Sequence, residues 1–111
     1  MPKIMPKKNP TKEKSFECPL LLADTEEKRI AGLSNRDDIT PYCGMRFVFD
    51  DAAVRSFWNK DTKLDLDIYW LNKGSEIGKD CLPAESVRGL VSITSPGPVD
   101  EVVEIVVESC V

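Results

Sequence analysis

Histidine is absent from this chain of 111 residues. That excludes a Ser-His-Asp triad, a Cys-His dyad and any zinc site built on imidazole. No other side chain has an ordinary pKa near neutrality. A general base would have to be a carboxylate, lysine or thiolate with a strongly shifted pKa. Long apolar runs are missing too, and none approaches the ~18 residues of a membrane span. The N-terminal stretch, residues 1–14, lacks the apolar core of a signal peptide; it is basic and carries three prolines. With so little to bury, residues 1–15 are expected to form a flexible basic tail.

No C-x-x-C pair occurs. The four cysteines, Cys18, Cys43, Cys81 and Cys110, stand far apart. A Cys₄ zinc site gathers its ligands in close pairs, so no metal is expected. Disulfides would need an oxidising compartment, and four cysteines permit three connectivities. Buried thiols acting as small hydrophobes are the expectation, with one or two bridges as the alternative.

What the chain does have is an ordinary globular composition, 41% hydrophobic and 31% charged. Its length fits one domain, over residues 16–111, that buries roughly 65% of the unfolded surface. A net charge of −4 with no basic stripe argues against nucleic acid as a partner.

Residues 16–23 read as a first strand, with Pro19 placing its start at an edge. Asp24 reads as a helix N-cap with Glu27 closing a capping box, and residues 25–33 as one short helix that buries Ile30 and Leu33. Residues 34–43 form a polar loop. Residues 45–49 form a short apolar strand, residues 50–53 a turn and residues 54–58 another strand. From Leu64 the alternation is explicit: Leu64, Leu66, Ile68 and Trp70 share one face, and Asp65, Asp67 and Tyr69 share the other. Asn72-Lys73-Gly74 supplies a tight hairpin turn, and residues 75–81 the return strand. Residues 87–94 and 101–107 read as two more strands, separated by the rigid turn Ser95-Pro96-Gly97-Pro98. Six or seven short strands and one short helix predict a mainly β (α+β) single domain, a small antiparallel barrel or sandwich. Met45, Phe47, Phe49, Phe57 and Trp70 are expected in its core.

Four strings, in order, resemble the family called domain of unknown function 192. The stretch from Asp24 to Arg36 resembles its "DTPEERARGLMFR", and Gly44-Met45-Arg46-Phe47-Val48-Phe49 its "GMLFVF". The stretch from Phe57 to Leu71 resembles its "FWMKNTLIPLDIAFI". Ser95-Pro96-Gly97-Pro98 and the Glu-rich stretch after it resemble its "SPGPARYVLEL". The resemblance covers residues 16–108. It departs at Asn59 for Met, Asp61 for Asn and Asp65 for Pro, and the "GxxxGD" that often ends family members has no counterpart. It implies a barrel-like β domain with one helix and no settled activity. Many members look exported, which leaves this chain's compartment open.

Trp58, Lys60, Asp61, Thr62 and Asp67 form the best constellation for a small polar ligand: an aromatic wall, a cation, carboxylates and a hydroxyl. Arg36, the last residue of the first string, fits an ion pair with Asp67 or Asp61, or a clamp on a carboxylate or phosphate ligand. Asp65 and Asp67 lie about 7 Å apart on one strand face, a spacing open to a divalent ion or to paired acids. The reading favoured is a non-enzymatic, monomeric domain that binds a small polar ligand or a protein partner, with no cofactor. A hydrolase or lyase using Asp67 with Asp61 or Lys60 is the first alternative. An interaction module that adds a strand to an exposed final strand is the second.

Overall fold

The structure, a computed structural model, describes residues 16–110. The expected basic tail lies outside the described residues. The elements run β1 (Leu20–Ala23), α1 (Glu26–Ala31), β2 (Gly44–Ala53), β3 (Ser56–Trp58), β4 (Asp65–Asn72), β5 (Ser75–Leu82), α2 (Glu85–Arg88), β6 (Ser92–Thr94) and β7 (Val99–Val107). Five strands form one sheet in the order β1-β2-β7-β4-β5, and β3 pairs with β6 in a second, two-stranded sheet. The mainly β class stands as expected. The large sheet stays open, and the small one lies on its apolar face, which makes the domain sandwich-like.

The β4–β5 hairpin follows from local chemistry. Asn72 faces Ser75, and the two residues between them, Lys73 and Gly74, have φ of 52° and 84°. That mirror-image turn matches the right-handed twist of the flanking strands. Alternation along β4 then sends Leu66, Ile68 and Trp70 into the core. Trp70 is 0% exposed, and its indole N–H donates to Asp80 Oδ2 at 2.7 Å. Phe47 of β2, Val102 of β7 and Trp70 of β4 stand side by side across three strands. Phe57 of β3 packs edge-on against Phe47 and Trp70, with ring centroids at 5.0 and 5.8 Å, and joins the two sheets.

Several expectations need correction. The N-cap of α1 is Thr25, not Asp24: Thr25 Oγ1 accepts from the Lys28 N–H at 3.2 Å. Ile30 is 76% exposed; a six-residue helix on the rim of the sheet buries little of its own surface, and the chain turns inward only at Leu33. A second helix, α2, takes the start of the region read as a strand at 87–94, leaving only Ser92–Thr94 extended. The first strand begins at Leu20 and pairs with β2 in parallel, the crossover running through α1. The turn expected at 50–53 is the irregular end of β2, where its register against β7 shifts. β7 is not an exposed final strand. It is the centre of the sheet, paired to β2 on one side and β4 on the other, so its backbone has no free edge for strand addition.

The cysteines are likewise not thiols. Cys18 is bonded to Cys43 and Cys81 to Cys110, with Cα atoms 6.0 and 5.5 Å apart. Each bridge ties a marginal strand, β1 or β5, to the sheet. No pairing can be read from spacing alone, because the partners meet only through the strand order.

Candidate functional site

A cleft of about 520 Å³ opens between α1, the turn after it, and the small sheet. Its size is that of a small-molecule site. Phe47 and Phe57 form its floor, and Ile30, Val54 and Trp58 its apolar rim. Trp58 is 60% exposed. Large apolar side chains left facing solvent around one concavity are uncommon on a monomeric surface and mark contact sites.

Asn59 holds this wall in place. It is wholly buried, and its amide donates to the carbonyls of Pro83 and Gly89, each at 2.8 Å. Its Oδ1 accepts from the Val91 N–H at 2.8 Å, and its backbone bonds Val91 and Thr62. A methionine could make none of these side-chain bonds. The turn anchored here sets Trp58 on the rim and Thr62 on the inner wall.

At the base lies Glu104, on the apolar face of the central strand between Met45 and Ile68. It is 4% exposed. No hydrogen bond or ion pair engages its carboxyl among the described residues, yet no fully enclosed side-chain oxygen or nitrogen there lacks a partner. The Glu104 oxygens therefore open on the cleft they line. Burial pushes its pKa up to about 8, from an ordinary 4.5. Near neutral pH the group is an uncharged acid, able to donate a hydrogen bond. A partnerless, perturbed carboxyl in a cleft is a mark of a functional site.

The far end of the cleft holds two arginines, Arg29 and Arg55, with Glu26 of α1 also in its lining. Beyond Ala23, where β1 ends, no strand among the described residues pairs with β2 on that side, and Arg29 donates to the Val48 carbonyl at 2.7 Å. Arg55 stacks on Phe49 at 3.7 Å and is committed to Val99 O and to Asp51. Arg29 lies 5.2 Å from the same ring and makes no ion pair among the described residues.

Of the residues singled out from the sequence, Trp58 and Thr62 line the cleft. Lys60 is exposed, with its ammonium 5.7 Å from the Trp58 ring, outside the lining. Asp61 serves the turn: its φ is 59°, its N–H donates to Glu85 at 2.8 Å and its carbonyl accepts from Asn35. Arg36 is exposed and meets neither Asp61 nor Asp67. Asp67 lies on the opposite face of the sheet and pairs with Lys79 at 3.4 Å. The Asp67 carboxylate, with Tyr69 adding to it, holds the Lys79 ammonium above its ordinary pKa. Asp65 accepts from the N–H groups of Ala84 and Cys110, so the two acids do not form a cation site. Among the described residues no cluster of metal-ligating side chains occurs. Nor does any helix there reach the length and apolarity needed to cross a membrane.

Glu104 was not singled out from the sequence. Two signals point to it: it is the lone acid within Val102-Val103-Glu104-Ile105-Val106-Val107, and it falls on the glutamate of "SPGPARYVLEL".

The fold and cleft define a small, open-sheet β domain with a ligand-sized concavity over a buried acid. The family model DUF192, described as uncharacterized ACR, matches residues 7–110, and the chain belongs to that family. No curated protein matches it. Two solved structures are similar. One, from Sinorhizobium meliloti 1021, carries the name "putative transcription regulator" and is 29% identical, with a TM-score of 0.67 over 77% of this chain. The other, a protein of unknown function from Novosphingobium aromaticivorans DSM 12444, is 22% identical, with a TM-score of 0.68 over 78% of this chain, and shows the shared fold. The chain spans 65% and 61% of their respective lengths.

Proposed function

We propose that this domain is a non-enzymatic binder of a small organic molecule, held in the cleft between α1 and the small sheet. Glu104 is the observation that carries the reading. An acid kept in an apolar strand with no protein partner costs stability, and a ligand contact gives it a use. The exposed rim of Ile30, Val54 and Trp58 supports a ligand with an apolar body. Nucleic acid is not part of the proposal: the net charge is −4, and the longer of the two described helices, α1, has six residues, short for reading a groove. The disulfides support work in an oxidising compartment.

The test is a panel of small organic acids, amines and sugars, titrated while the intrinsic fluorescence of Trp58 and Trp70 is followed and repeated by ligand-observed NMR. At least one compound should give a saturable response, weakened by Trp58→Ala and by Glu104→Leu. A flat response across the panel by both methods overturns the proposal.

A further inference from the structure

The two ends of the cleft differ, and the difference specifies a ligand. Arg29 is held on Val48, and Glu104 stands opposite Met45 in the same sheet. Three residues of strand separate these positions, about 10 Å. Between them the floor is the aromatic pair Phe47 and Phe57. Resting on the proposed binding role of the cleft, we infer that it takes an elongated organic acid. The anionic end meets Arg29, the apolar middle crosses Phe47 and Phe57, and the far end offers a neutral oxygen acceptor to Glu104.

The charges around the cleft favour this polarity. Its charged lining groups are Glu26 and Arg29 of α1, Arg55 before β3, and Glu104 itself. The groups flanking Glu104 on β2 and β4, Met45 and Ile68, carry no charge. Arg55 already faces Asp51, whereas Arg29 uses one donor on a backbone carbonyl and keeps the rest of its guanidinium fork. A carboxylate there gains a charge-assisted contact with the donors that remain. Glu104 as a neutral acid donates one hydrogen bond and asks for an acceptor. A ligand ammonium would force it to ionise in an apolar seat.

The test compares octanoate, ω-hydroxyoctanoate, ω-aminooctanoate and octylamine by calorimetry, with the intact protein. The hydroxy acid should bind several-fold, and up to about tenfold, tighter than octanoate, the net worth of one hydrogen bond. Its affinity should hold from about pH 6 to 7 and fall as pH rises through about 8, where Glu104 becomes an anion in an apolar seat facing an anionic ligand. Glu104→Gln, which keeps a donor, should retain binding and lose the pH dependence; Glu104→Leu should bind the hydroxy acid no better than octanoate. Arg29→Gln should weaken all three acids and leave octylamine unchanged.

Equal affinity for octanoate and the hydroxy acid would overturn the inference. So would an amino acid form that binds tightest and tightens as pH rises. If amines or sugars from the wider panel bind and none of these acids does, the cleft keeps its binding role and the inference falls alone.

Discussion

At the scale of single residues, the side chains that matter most are those whose surroundings contradict their type. Glu104 is the sharpest case. Unfolded, its carboxyl titrates near 4.5; folded, near 8. Below the lower value it is neutral in both states. Between the two values only the unfolded chain ionises, so stability must fall as pH rises, and above pH 8 the full cost is present. Urea titrations at about pH 5 and about pH 9 should differ by on the order of a few kcal/mol, and Glu104→Gln should remove most of that slope. Asn59 predicts the reverse pattern. Asn59→Ala strips partners from two carbonyls and an N–H, costing about 1–3 kcal/mol or more, with no pH dependence. Trp70→Ala should cost ~3–5 kcal/mol in thermal or urea unfolding, since the ring fills the junction of the two sheets. The role of Trp70 was legible from alternation alone, and Trp58 and Thr62 were legible as an unusual local grouping. Glu104 was not, because an acid in a strand reads as solvent-facing until the strand is known to be central.

At the scale of elements, legibility followed locality. The β4–β5 hairpin is set by alternation and by Lys73-Gly74, both contained in a dozen residues. Gly74→Val should weaken it by ~1–2 kcal/mol, while Gly74→Asn should be nearly neutral, as read from the two melting temperatures. Equal losses would mean that the turn does not depend on its left-handed residues. α2 was misread because Val87 and Leu90 look like strand core, yet both are exposed. The parallel pairing of β1 with β2 depends on where the chain returns after α1, which no local pattern encodes. Gly44 records how close that sheet is drawn: a Cβ there would run into the Glu104 carbonyl of β7. Gly44→Ala should therefore disturb the strand that carries the buried acid.

At the scale of the whole molecule, the two disulfides close loops of 25 and 29 residues along the chain. Loops of that size contribute roughly 3–4 kcal/mol each in the chain-entropy account. Urea unfolding with and without a strong reductant should show a loss of that order, and Cys81→Ser/Cys110→Ser should lose about half of it. Their placement has a further effect, on how chains treat one another. The margins of an open sheet are where foreign strands add and aggregates start. Here both marginal strands are covalently fastened, β1 through Cys18–Cys43 and β5 through Cys81–Cys110. Reduction frees both margins at once, so a reduced chain should lose stability and also self-associate through its sides, an outcome that light scattering with and without reductant would read.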